Sequence, residues 1–181
     1  MTTKSSYRPP LTTSLEPLLV KGSDEEFREV VDNLVAFAGQ LQQIREALSR
    51  QMHLTPPQYN ILMALAHIRD DKITASAMAE RLRVTLSFVV TETRRLDEMG
   101  LLKKKVDESD RRRVHLKLTE KGMAALTSIA PLQREVNDIL FASLDRRRFK
   151  VLGQITHGLL ASCESGLRTA RTPRDCPGKK K

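Results

Sequence analysis

The sequence predicts a mainly α protein with one small β-hairpin. Three observations carry that prediction. Apolar residues recur at helical spacing along most of the 181 residues. Arg83-Val84-Thr85 separates two short helical segments and is too short to be anything but a tight turn. Residues 101–118 then change to strand-like runs on either side of a charged tip. Together these describe a helix-turn-helix followed by a hairpin wing, with longer helices on both flanks.

Along the chain, residues 1–22 contain Pro9, Pro10 and Pro17 beside Leu18-Leu19-Val20, and are expected to form a flexible arm. Ser23-Asp24-Glu25-Glu26 has the capping-box spacing of a helix start. Behind it Phe27, Val30, Val31, Leu34, Ala38, Leu41 and Leu48 form one apolar stripe to about Met52. Thr55-Pro56-Pro57-Gln58 is a second start, with proline in the first turn where its missing N–H does no harm. That helix should run to about Ile68. Thr74 can cap a third helix through Leu82, packed by Ala77, Met78, Ala79 and Leu82. Thr85 can cap a fourth from Leu86 to about Met99, with Val89, Thr93 and Leu96 on one side and Gly100 as its stop.

Leu101–Val106 and Val114–Leu118 are the expected strands, joined by the tip Asp-Glu-Ser-Asp-Arg-Arg-Arg. After Thr119 another helix is expected to about Leu144, kinked or interrupted at Pro131. Asp145 can open a last helix with Phe149, Leu152, Ile155 and Leu159 on one face. Residues 167–181, with Pro173, Pro177 and Gly178 and six basic residues against one acid, should be a disordered basic tail. It can equally be a solubilising end or an arm that tracks DNA.

Asp110, Arg112, Leu118, Thr119 and Gly122 match the D-x-R-x-x-x-x-x-L-T-x-x-G wing pattern of MarR-type transcriptional regulators, and Leu54–Leu62 (LTPPQYNIL) resembles the helix before their DNA-binding core. The chain is similar to that family over roughly its middle two-thirds. The resemblance implies a single domain over residues 23–166. Within it, residues 54–122 would be the winged helix-turn-helix, with 23–53 and 123–166 as dimerisation helices. It implies a homodimer on a pseudo-palindromic operator in double-stranded DNA. A two-fold dimer would place two reading helices in successive major grooves about 34 Å apart.

Charge is distributed as that expectation requires. The net charge is +9; residues 23–82 hold six basic and nine acidic groups, whereas residues 83–121 hold eleven basic and seven acidic. Positive charge thus gathers where phosphate would be met. Candidate DNA contacts are Thr85, Ser87, Thr91, Arg94 and Arg95 on the second helix of the pair. Short hydroxyls near its start suit base edges, and guanidinium groups suit phosphate. Leu86, Phe88 and Val90 depart from the usual family pattern and are expected either to be buried or to touch thymine methyls. On the wing the candidates are Arg111, Arg112 and Arg113. The resemblance assigns Arg112 to the minor groove and Asp110 to orienting an arginine; Arg111 and Arg113 can also be a solvated tip.

The resemblance further implies a small aromatic acid as effector. Arg45, His53, Tyr59 and Asn60 are the candidate contacts, with Arg50 and His67 nearby, because a carboxylate needs a cation and arginine can grip it with two N–H groups. Each has an ordinary alternative as a solvated, ion-paired or packing residue. Cys163 and Cys176 lie late in the chain, so the oxidant sensing of some family members, through a cysteine near the first helix, does not carry over. The four histidines show no metal-ligand spacing, and no catalytic motif is present. A non-enzyme without cofactor or membrane span, in the cytoplasm, is expected. Two functions stay open: an effector-released dimeric repressor, and a winged-helix interaction or architectural protein with no small-molecule effector.

Overall fold

The structure is a computed structural model that describes residues 9–68, 73–107, 110–111 and 113–173. It contains α1 (Glu25–Gln51), α2 (Pro56–His67), α3 (Ala75–Leu82), α4 (Leu86–Glu98), β1 (Leu102–Val106), β2 (Val114–Leu118), α5 (Glu120–Leu140) and α6 (Arg146–Arg171). The mainly α fold with a two-stranded wing is therefore present. The chain divides into two compact units, residues 1–131 and 132–181.

The first unit is built around α2. Leu62, Met78, Val89 and Leu96 from α2, α3 and α4 are wholly buried together, and Leu102 and Leu116 from the wing close the same core. Burying each such side chain contributes roughly 1.5–3 kcal/mol, far more than the intrinsic helix propensity of segments this short could supply. Local signals set the boundaries. Thr74 Oγ1 accepts from the Ala77 N–H at 3.3 Å, and Thr85 Oγ1 from the Phe88 N–H at 3.3 Å, so both helices of the pair carry the expected caps. Between them Arg83 takes φ 55°, a left-handed conformation that reverses the chain within three residues. Gly100 ends α4 at φ 71°.

β1 and β2 pair antiparallel, Leu102 opposite Leu118 and Val106 opposite Val114. A short third contact fastens the hairpin to the pair: the Leu116 N–H donates to Ile73 O at 2.9 Å just before α3. The Leu-Thr-x-x-Gly segment has a physical basis. Thr119 Oγ1 donates to Gly100 O at 2.6 Å and accepts from the Gly122 N–H at 3.0 Å, so one hydroxyl ties the end of α4 to the start of α5. A Cβ on Gly122 would run into the Leu101 carbonyl oxygen. Only glycine permits that approach.

Several expectations need correction. Asp24 and Ser23 do not form the capping box. Ser23 Oγ accepts from the Glu25 N–H at 3.3 Å, while the buried Asp24 carboxylate takes the Thr12 N–H and hydroxyl, each at 2.6 Å, and the Arg28 guanidinium at 2.6 Å. Those two Thr12 bonds hold the Asp24 carboxyl below the ordinary carboxylate range and fasten residue 12 to the start of α1. Pro131 does not interrupt α5, which runs through it to Leu140. A proline costs one backbone bond there, and a 21-residue helix whose first half is anchored by the buried Gly122 and Ile129 absorbs it. α6 extends to Arg171, past the tail boundary at Leu167. Arg168 pairs with Glu164 one turn earlier at 3.8 Å, and Pro173, not Leu167, is the first helix-incompatible residue. Most of the basic tail, residues 174–181, lies outside the described residues.

In the second unit α6 starts where expected, with Asp145 Oδ1 accepting from the Arg148 N–H at 2.7 Å. It buries none of its residues.

Candidate nucleic-acid interface

α4 buries Val89, Thr93 and Leu96 and turns Ser87, Arg94 and Arg95 outward, with Thr91 half-buried between them. Its polar groups are partly engaged within the chain. Thr85 Oγ1 serves as the cap and also meets Ser87 Oγ at 3.2 Å, and Thr91 Oγ1 donates to Ser87 O at 3.0 Å. Ser87 therefore keeps the most available hydroxyl on the helix's first turn.

The two arginines differ. Arg94 pairs with Glu98 at 3.7 Å in full solvent contact, a pair worth about 0–1 kcal/mol and easily exchanged for a phosphate. Arg95 pairs at 2.8 Å with Glu92, whose carboxylate is buried. Glu92 also accepts from Gln58 Nε2 at 3.1 Å, and Gln58 Oε1 accepts from the Thr55 N–H at 3.1 Å. A buried polar chain thus runs from the cap of α2 to the outer face of α4. It fixes the roll of α4 about its axis, because an unpaired carboxylate at Glu92 would be costly in that setting.

Leu86, Phe88 and Val90 are not buried. Each is 39–49% exposed, so the burial expected of them is overturned. The helical turn carries Phe88 and Val90 off the side that residues 89, 93 and 96 occupy, whereas Leu86 continues that stripe into the exposed first position of the helix.

On the wing, Arg113 Nε lies 3.4 Å from Asp110 Oδ2, and the Arg113 N–H donates to Asp110 O at 2.8 Å. Asp110 thus orients Arg113. Arg111 is exposed, and Arg112 lies outside the described residues. At the base of the tip, His115 Nε2 meets Asp107 Oδ2 at 2.8 Å, both largely buried, which braces the hairpin. Sequence reasoning missed Lys103, Lys104 and Lys105, all exposed on β1. Lys103 sits directly opposite Lys117 in the ladder. The run of three lysines was visible in the sequence, and the hairpin register is what gives it meaning.

Among the residues expected at an effector site, Arg45 donates to Asn60 Oδ1 at 2.7 Å at the surface between α1 and α2. Tyr59 is buried with Leu48 and Ile129; burial raises its hydroxyl pKa, and the nearby Arg45 charge opposes that rise. His53 is exposed in the left-handed turn after α1, φ 55°, where the Leu54 N–H reaches back to Ser49 O at 3.0 Å. Arg50 pairs with Glu46 at 2.6 Å, and His67 Nδ1 lies 2.7 Å from Met63 O. The structure brings Arg45, Asn60 and Tyr59 together and leaves His53 without a hydrogen bond to them. Among the described residues no group of three or more His, Cys, Asp or Glu could hold a metal ion, and no helix is long and apolar enough to cross a membrane.

Residues 54–122 match the model of a winged helix DNA-binding domain. A MarR transcriptional regulator from Methanosarcina mazei Go1 superposes with a TM-score of 0.57 at 26% identity, over 78% of this chain and 99% of that one. In fold the chain is similar to the MarR-type winged helix-turn-helix regulators. PcaV, a transcriptional regulator from Streptomyces coelicolor solved with its natural ligand, is 26% identical with a TM-score of 0.56, over 70% of this chain and 91% of that one. S. aureus MepR, solved in complex with DNA, shares the fold at 19% identity and a TM-score of 0.61, over 82% of this chain and 99% of that one. No curated protein sequence matches the chain. In this chain the matched segment coincides with α2, α3, α4 and the wing. The capped helix pair and its cationic hairpin are therefore the DNA-binding fold.

Proposed function

We propose that this protein is a homodimeric, sequence-specific DNA-binding regulator that represses by occupying a pseudo-palindromic operator. The observation that carries the proposal is the joint exposure of α4's outer face and the lysine-lined wing on one rigid core. Ser87 and Thr91 would approach base edges, Arg94 and Arg95 the flanking phosphates, and Thr85 would act through its cap by fixing where α4 begins. Lys103 and Lys104, exposed on β1, would meet backbone phosphate, and Arg111, Arg112 and Arg113 would enter the adjoining minor groove.

Dimerisation rests on uncovered apolar surface. Val30, Val31 and Leu34 on α1, and Phe149, Ile155, Leu159 and Leu160 on α6, are all more than a third exposed. Burying them against a second copy would contribute roughly 1.5–3 kcal/mol for each side chain. Two reading helices then act on one duplex.

Release by a small aromatic acid is the regulatory part of the proposal. Arg45 is a surface cation already bonded to a neutral amide, Asn60, which a carboxylate could displace; His53 lies at the end of the same helix and Tyr59 supports the site from the core. The PcaV structure with its ligand shows that a protein of this fold accommodates one. Coupling of about 1–3 kcal/mol would change DNA affinity roughly 5- to 150-fold.

The test is binding of the full chain to duplexes selected from a random library, followed by titration of benzoate- and phenolate-type acids with and without DNA. Selective binding that an acid weakens, and weakens less in Arg45→Ala, supports the whole proposal. Selective binding that no acid alters keeps the DNA-binding part and favours a winged-helix architectural protein. No selective binding overturns it.

A further inference from the structure

The exposed apolar residues of α4 have no role in the core and none in the cationic surface. Leu86, Phe88 and Val90 make up three of the helix's first five positions, and all three face solvent. On a helix of 3.6 residues per turn they flank Ser87 and Thr91, with Leu86 and Val90 on one side and Phe88 on the other. Phe88 and Val90 lie off the buried stripe and Leu86 ends it at the first position of the helix, so the core closes over none of the three.

Their surroundings identify the occupant. Arg94 and Arg95 follow the collar on the same helix and Lys103 and Lys104 are exposed on the wing, a basic setting that favours a polyanion over a second copy of this basic chain. Glu98 and Asp97, the exposed acids of α4, stand at its C-terminal end, away from the collar. In a helix-turn-helix the N-terminal residues of the second helix are those that reach base edges. The polar groups there are few and partly engaged: Thr85 and Thr91 are bonded to the backbone, Ser87 Oγ also meets Thr85 Oγ1 at 3.2 Å, and the helix has no Asn, Gln or Lys. In the major groove the one apolar feature on a base edge is the thymine C5-methyl.

Resting on the DNA-binding reading above, we propose that Leu86, Phe88 and Val90 read thymine methyl groups. The base preference of the first half of α4 would then be set by apolar contact, with Ser87 as the main hydrogen-bonding complement. The collar discriminates thymine from cytosine by the methyl that cytosine lacks.

Deoxyuridine isolates the methyl, since it keeps every hydrogen-bonding group of thymine. Duplexes selected by the full chain from a random library are resynthesised with deoxyuridine replacing each thymine in turn. Binding should weaken about four-fold at each contacted thymine, the value of one buried carbon. In Leu86→Ala, Phe88→Ala or Val90→Ala, overall affinity should fall and the deoxyuridine penalty should vanish at the position that side chain touches. Thermal unfolding of these variants should fall far less than that of Leu96→Ala, because the three residues are only partly covered and Leu96 is wholly buried. Selective, salt-sensitive binding with no deoxyuridine penalty, or a penalty unchanged in the triple alanine variant, would overturn the inference while leaving the DNA-binding reading intact. A change of oligomeric state in the alanine variants would overturn it in favour of a contact between copies. Absence of selective binding would remove both.

Discussion

The winged helix and the terminal helices follow the same periodicity to different ends. Leu62, Met78, Val89 and Leu96 are completely shielded within one chain, while α6, built with the same alternation of apolar and polar turns, shields nothing. α1 shows both behaviours along its length. Leu48 near its end is buried with Tyr59 and Ile129, but Val30, Val31 and Leu34 nearer its start are open. The difference teaches that periodicity identifies which residues need cover and says nothing about what provides it. The core provides its own; on the reading proposed above, a second chain provides that of the terminal helices.

The largest effect should come from placing charge on the uncovered surface. Phe149→Asp combined with Ile155→Asp should convert the dimer to a monomer, because an unpaired carboxylate in an apolar interface costs several kcal/mol, on the order of a thousandfold in association. Sedimentation reads the change, and circular dichroism should show the helices retained; an unchanged dimer would mean that α6 is not the interface. In the core the response should be the reverse. Leu96→Ala should cost about 2–5 kcal/mol in urea unfolding through the cavity it leaves, without creating a monomer at concentrations where the protein stays folded.

Next in size is Gly122→Ala. The methyl meets the Leu101 carbonyl, and overpacking of this kind costs about 1–3 kcal/mol. Wild-type stability in that variant would show that the contact between wing and α5 is loose.

The same contrast governs what the sequence could reveal. Elements closed by local chemistry were legible: the Thr74 and Thr85 caps, the three-residue turn, the Gly100 stop and the wing all rest on neighbours within a few positions. Gly122 was legible as part of a pattern, but its physical reason, the approach of Leu101, needed the fold. Features set by contacts distant in sequence were hidden. Asp24 reads as a helix cap and is instead claimed by Thr12; Arg95 reads as a free cation and is held by Glu92, itself held by Gln58. Leu86, Phe88 and Val90 read as core because apolar residues on a helix usually are. Spacing placed Val89, Thr93 and Leu96 on one side, but only the fold shows that the core closes over those three and leaves the others open.

Arg94 and Arg95 sharpen the comparison at smaller scale. Arg94→Ala should weaken DNA binding and leave unfolding unchanged within about 0.5 kcal/mol, as expected for an exposed pair. Arg95→Ala should weaken DNA binding and also lower stability, since it removes a cation from the buried Glu92. Equal unfolding curves for the two variants would show that the buried chain from Thr55 to Arg95 does not fix α4.

The smallest effect concerns the arm. The Asp24 carboxyl is held below its ordinary value of 3.8, so its stabilising contribution is complete above that value and fades as pH falls through the lowered one. Asp24→Asn should abolish that acid-side dependence and speed proteolysis of residues 9–22 at neutral pH. Identical proteolysis of the two proteins would show that the Thr12 contact does not hold the arm.

The central claim, a dimer that grips duplex DNA through α4 and a basic wing, is tested most directly by sedimentation of the full chain with a selected duplex over a series of salt concentrations. Two chains per duplex, with the logarithm of affinity falling steeply and linearly as the logarithm of salt rises, is the expected result. A single chain per duplex, or an affinity indifferent to salt, would contradict it.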